Sequence, residues 1–167
     1  MTAVMRSFDV IELPVENYLY RYYCTIYNLA DNEFVKLSPT IGLTKFYSQD
    51  NSAYQKYVKT LTKKQDQWTY LRVQIPQVTE KRKYAFIRLL RAKFNKSMMA
   101  YVKQHAIYSL GENVKSIILS FLHHYGISED EFNLERAVRR WHRSDEYQEY
   151  LRHLYIEEGK LELLKGS

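Results

Sequence analysis

The sequence predicts an α+β protein: a small mixed strand and helix N-terminal half followed by a helical C-terminal half. Three observations predict it. Leu71, Val73 and Ile75 alternate with Tyr70, Arg72 and Gln74, the period of a half-buried strand. From Thr79 onward the apolar period changes to three or four. Ile87, Leu90, Phe94, Met98, Tyr101, His105 and Tyr108 then fall on one helical stripe. Further on, Gly126, Ser128 and Ser144-Asp145-Glu146 punctuate the chain as helix ends and starts do.

In chain order, Phe8 to Val15 is rich in β-formers and predicts a short strand ending at Pro14. Glu16 to Asn28 fits a helix through Tyr18, Tyr22, Ile26 and Leu29. Its density of Tyr, Thr and Ile fits a strand equally well. Glu33 to Leu37 and Ile41 to Tyr47 read as strands, split by Ser38-Pro39 and Gly42. Asp50-Asn51-Ser52 is placed to cap a helix over Ala53 to Lys64, and Lys63 to Gln67 reads as a loop. Trp68 to Ile75 is the best strand, and Pro76 ends it.

Thr79, followed by Lys81, Arg82 and Lys83, opens the clearest helix, and Gly111 closes that region. Val114 to Tyr125 is a second helix, apolar enough to be central, with Gly126 as a left-handed cap. Ser128 is expected to cap a third helix, whose first turn would hold Glu129, Asp130 and Glu131, where the helix dipole favours acids. A fourth starts at Ser144-Asp145-Glu146. It is amphipathic through Tyr147, Leu151, Leu154 and Tyr155 and ends near Gly159. The expected boundary between the halves is near residue 77, dividing a Tyr-rich portion, 1–77, from a basic helical portion, 78–167.

At 167 residues and 46% hydrophobic, the chain fits one domain, or a domain with an appended helical piece. Its positive charge is not spread evenly. Thr79 to Tyr125 holds nine Lys or Arg against two acids, Glu80 and Glu112. A basic block on helices points to an anionic partner. Arg82, Lys93, Lys96 and Lys103 fall roughly opposite the apolar stripe, where they need no special geometry to attract phosphates. That face carries no counter-acids, which favours nucleic acid over a merely solvated helix face.

Phe121 to Arg143 resembles a helix-turn-helix, with Tyr125-Gly126-Ile127-Ser128 as the turn and Phe121 and Phe132 as inward anchors. The resemblance implies DNA contact, with Arg136, Arg139, Arg140 and Arg143 gripping the backbone. The segment departs from the motif at Leu122, where a small residue is usual, at Glu135, where an apolar one is usual, and in its three acids, Glu129 to Glu131. Tyr70 to Pro76 with the helices after it also resembles a ribbon-helix-helix, which implies base contacts from Arg72 and Gln74.

Other chemistries find no residues to carry them. Cys24 is the only cysteine, which excludes an intramolecular disulfide and fits a reducing cytosol; as a small hydrophobe it is expected to be buried. The five histidines come without a His-Glu-x-x-His pattern or paired cysteines, so no metal is expected. The scattered glycines make no phosphate loop, and no catalytic set is visible, so neither catalysis nor a cofactor is expected. Met1 to Asp9 lacks an apolar core, and Ile117 to Leu122 is too short to span a bilayer. No membrane association and a soluble, cytoplasmic protein are therefore expected.

The sequence thus points to a non-catalytic DNA-binding accessory or regulatory protein with phosphate-dominated contacts. The alternative is a protein-interaction or assembly component, for instance of a virus or mobile element, whose basic block meets an acidic protein. The Tyr-rich half and the amphipathic tail lead to the expectation of a homodimer, since the tail's stripe must be covered by this chain or by another.

Overall fold

A computed structural model describes residues 8–30, 33–36, 42–108 and 113–165, with 108 and 160–165 described by their backbone alone. Its architecture is α+β, a three-stranded sheet in the first half and helices in the second. Most of the stretch inspected for a signal segment, the expected break at Ser38-Pro39 and the expected stop at Gly111 lie outside the described residues. The chain forms two compact units, Met1–Phe94 and Asn95–Ser167. The division falls inside a helix, later than the boundary near residue 77 that the sequence suggests.

The first unit is built on strands β1 (Phe8–Glu16), β2 (Val35–Lys36) and β3 (Trp68–Pro76), in the order β1-β3-β2. β1 runs antiparallel to β3 with Leu13 opposite Leu71 and Ile11 opposite Val73, while β2 pairs parallel with Val73 and Gln74. The pleat sends Leu13, Val15, Leu71, Val73 and Ile75 into the core, each at most 1% exposed. β1 lies at the sheet edge, where Pro14, lacking an N–H, is tolerated.

Helix α1 (Asn17–Tyr27) resolves the ambiguous segment, and on a different stripe from the expected one. Leu19, Tyr22 and Tyr23 are buried, at the spacing of one helical face, whereas Ile26 is exposed. Tyr23 donates to the Leu90 carbonyl at 2.8 Å, and Tyr22 meets Phe94 edge-on at 5.0 Å. These contacts favour the helix: the buried Tyr23 keeps a hydrogen-bonded tip, and both tyrosines cover area. Asn28, at φ 46°, ends α1 with its N–H on the carbonyls of Cys24 and Thr25. Cys24 is half-buried rather than fully enclosed.

The expected strand before Tyr47 is instead a 3₁₀ turn, Leu43–Phe46. The carbonyls of Phe46 and Tyr47 accept from the Arg88 guanidinium, at 2.9 and 3.3 Å, so an arginine meets the backbone groups a neighbouring strand would need. Helix α2 (Ala53–Leu61) follows, ending earlier than expected. Its start is closed by Asp50, whose side chain accepts from the Ser52 N–H and hydroxyl and from Lys56.

Helix α3 (Glu80–Tyr108) opens at Thr79, whose hydroxyl accepts from the Arg82 N–H at 3.2 Å. Its portion in the first unit buries Ala85, Phe86, Ile87, Leu89, Leu90 and Phe94; its portion in the second buries Met98, Met99, Val102 and Ala106.

The second unit adds α4 (Val114–His124), α5 (Leu134–Trp141) and α6 (Asp145–Lys165). α4 is central as expected, with Ile117, Ile118, Phe121 and Leu122 buried. Gly126 (φ 64°) closes it with a Schellman motif: its N–H reaches the His123 carbonyl at 3.0 Å, and the Ile127 N–H reaches Leu122 at 2.9 Å. Ile127 is buried beside that cap.

The next helix does not start at Ser128. Ser128 and Glu131 close a turn on each other, the Glu131 N–H to the Ser128 carbonyl and the Ser128 N–H to the Glu131 carboxylate. Asn133 caps α5 by accepting from the Arg136 N–H at 2.8 Å. The three acids therefore precede the helix rather than fill its first turn. α6 starts where expected, with the Ser144 hydroxyl accepting from the Tyr147 N–H at 3.1 Å. It runs on to Lys165 and passes through Gly159 instead of ending there.

Candidate anion-binding surface

The charge on α3 behaves differently along its length. In the first unit Lys81, Arg82, Lys83, Arg88 and Arg91 meet the unit's own groups. Arg82 donates to the Pro76 carbonyl at 2.7 Å and to the Tyr47 hydroxyl. Lys81 and Lys83 sit over the rings of Tyr47 and Tyr54, at 5.1 and 5.4 Å from their centroids. Arg91 pairs with Glu16 and lies 5.0 Å from the Tyr57 ring centroid. Burial, the largest single influence, works against the Arg91 charge, but the Glu16 carboxylate beside it together with Tyr57 and Tyr18 raises its pKa on balance. Most of these partners are carbonyls and rings, which hold the cation without cancelling its charge. The long-range field survives while the side chains are committed. This arrangement was not visible in the sequence, because most of the partners lie far away along the chain: Tyr47, Tyr54, Tyr57 and Glu16.

Other predicted contacts fall in different settings. Lys93 and Lys96 are exposed. Lys103 is paired with Glu149, and its hydrogen bond and charge hold that carboxyl below its usual range. Arg72 and Gln74 lie half-exposed on the face of β3 away from Leu71 and Val73. β3, however, is the middle strand, flanked by β1 and β2 at Val73 and Gln74. A ribbon-helix-helix needs that strand free to pair across a twofold axis, and β3 is not. Its following helix, at 29 residues, is also long for that arrangement.

The arginines of α5 converge. Leu134, Ala137, Val138 and Trp141 recur at one helical spacing and face inward, with Ala137 and Trp141 buried. Arg136, Arg139, Arg140 and Arg143 recur at the same spacing on the other side. They line a single open concavity of about 490 Å³ together with Ser144. Arg136, Arg139 and Arg143 are exposed. Arg140 is half-buried and donates to the Asn95 side-chain carbonyl, which fixes its guanidinium against α3. Four forked donors around one hollow suit phosphate oxygens, which guanidinium groups bind in pairs.

The corner between α4 and α5 differs from the helix-turn-helix it resembles in two respects. Residues 125–133 intervene where that motif has a short turn, and α5 is only eight residues long. Phe121 is the inward anchor at 2% exposure, while Phe132 is half-buried. Among the described residues no group of three or more His, Cys, Asp or Glu could hold a metal, and no helix is long and apolar enough to cross a membrane. No family model, curated protein or solved structure matches the chain.

Proposed function

We propose that the protein is a non-catalytic, cytoplasmic DNA-binding accessory or regulatory protein that grips its target chiefly by the phosphates. The observation that carries this reading is the convergence of Arg136, Arg139, Arg140 and Arg143 on one hollow of a chain with net charge +6. The arginines supply directed hydrogen bonds, and the uncancelled charge on α3 supplies attraction at longer range. The test is binding of the full chain to mixed-sequence duplex DNA at several salt concentrations. Affinity is expected to fall steeply with salt. Replacing Arg136, Arg139 and Arg143 together by Ala should weaken binding by roughly tenfold or more across all sequences. Arg140 is left in place because it is tied to Asn95. Failure of the wild-type protein to retain DNA at low salt would reject the proposal.

A second reading, an assembly component meeting another protein, is favoured by a separate observation. Tyr155 and Ile156 on α6 are 70% and 56% exposed, the most exposed of the large hydrophobic residues described. DNA binding unaffected by the triple substitution would move the weight to this reading.

A further inference from the structure

Two hollows meet on α5. One is lined by Arg136, Arg139, Arg140, Arg143 and Ser144. The other, about 420 Å³ in volume, has Leu134 and Val138 as its apolar wall, with Asn113, Lys115, Glu135 and Arg139 around them. Arg139 lines both, so one occupant can reach from the first into the second past a single side chain. The second hollow has the size of a small-ligand site, and Leu134 and Val138 are only half-buried there.

The first hollow concentrates charge that the chain does not neutralise. Its arginines stand three and four apart on one helix, a spacing at which like charges destabilise it. Within the described residues no hydrogen bond or ion pair holds the guanidinium groups of Arg136, Arg139 and Arg143. No carboxylate is among the described lining; Asp145 and Glu146, next along the chain after Ser144, are not part of it. An internal phosphate of a duplex brings one negative charge and is tethered on both sides. Its base stays in the stack, so it would leave the apolar hollow unfilled. A strand end differs on all three counts. Its phosphomonoester carries about −1.5 to −2 charges at neutral pH, is tethered on one side only, and bears a nucleoside that can leave the stack at less cost. We propose that α5 captures the phosphorylated end of a DNA strand. The phosphomonoester sits among Arg136, Arg139, Arg140 and Arg143, and the terminal nucleoside lies against Leu134 and Val138. Glu135 then faces the base or sugar, where it can accept from an amino or hydroxyl group, and Lys115 can meet the following phosphodiester. The inference rests on the phosphate-binding reading above and names the part of the target that the site takes.

The test is fluorescence anisotropy of the full chain on duplexes of about 20 bp with one unpaired nucleotide at an end, 5′-phosphorylated, 3′-phosphorylated or left as the hydroxyl. One phosphomonoester changes the charge of such a probe by about one part in twenty, so long-range attraction treats the three alike. One phosphorylated end should bind roughly tenfold or more tighter than the hydroxyl, and the arm that does so identifies the end, 5′ or 3′. Replacing Arg136, Arg139 and Arg143 together by Lys keeps the net charge but loses the forked donors. It should cut that preference to about twofold or less. Removing the unpaired base, leaving an abasic sugar phosphate, should weaken the preferred probe by roughly fivefold through lost contact with Leu134 and Val138. Equal affinity for all three ends, with DNA still retained, would overturn this proposal and leave the phosphate grip standing. A preference kept in full by the Lys variant, or an abasic end bound as tightly as the intact one, would overturn it equally. Retention of none of the probes would reject the underlying reading and this inference with it.

Discussion

Glu16, Tyr57 and Arg91 form a partly buried polar cluster in the first unit. The Tyr57 hydroxyl lies within hydrogen-bond reach of the Pro14 carbonyl at 3.0 Å and of the Glu16 carboxylate at 3.3 Å, while Arg91 pairs with the same carboxylate. Burial first, and the Glu16 charge second, push the Tyr57 phenol well above its ordinary range, so it stays protonated. Removing one partner leaves a partly buried charge unmatched. Arg91→Met should therefore cost about 2 kcal/mol, less than a fully buried pair would, read from chemical denaturation. Asp50 sits at the other extreme of exposure. Hydrogen bonds from Lys56 and then Ser52 lower its pKa from 3.8 to about 2. A carboxyl depressed by folding contributes stability that is present above its unfolded value and lost as pH falls. The loss should run from near pH 3.8 down to about 2, and Asp50→Asn should remove that part of the acid dependence. A titration midpoint for Asp50 near its ordinary value, measured by NMR, would contradict this.

At the scale of elements, the turn at Gly126 shows what local sequence can specify. A Cβ there would meet no atom within 4 Å, so only the positive φ opposes a side chain. Gly126→Ala should cost roughly 1 kcal/mol and Gly126→Asn less, since Asn tolerates the left-handed region better. Equal melting temperatures for all three would show that α4 ends differently. The same local logic made β1, β3, α3, the α4 cap and the Ser144 start of α6 legible, because their signals lie within a few residues of the structure they specify. Three features were not legible. The face of α1 depends on Leu90 and Phe94, far along the chain. The turn at Leu43–Phe46 depends on Arg88. The start of α5 was a contest between two good caps, and Ser128 closed its turn on Glu131, leaving Asn133 to begin the helix. Of the candidate site, the four α5 arginines were pointed to by the helix-turn-helix resemblance of Phe121 to Arg143, and the structure places them around one hollow. The commitment of Arg82 to carbonyl and hydroxyl partners and of Lys103 to Glu149 was not, since a cation's partner is set by folding rather than by its neighbours in sequence.

For the whole molecule, the question is whether DNA would respond to net charge or to the α5 hollow. Phosphate binding releases counterions, so the slope of log affinity against log salt counts the phosphates neutralised, at about 0.9 per phosphate on duplex DNA. Replacing Arg136, Arg139 and Arg143 by Ala removes three positive charges from a formal total of +6. Replacing Lys59, Lys63 and Lys64 by Ala removes three as well, from exposed positions at and just after the end of α2. The two variants therefore carry the same net charge and weaken the distant field comparably. If the hollow makes the contacts, the arginine variant should lower the salt slope by roughly 2 to 3, while the lysine variant should leave it within about 0.5 of wild type. Its affinity should fall only through the reduced attraction at long range. Exposed charges contribute little to folding, so both should melt close to wild type and the comparison should not be confounded by stability. Equal losses of slope from the two variants would mean that binding follows total charge, and the arginines of α5 would lose their special place.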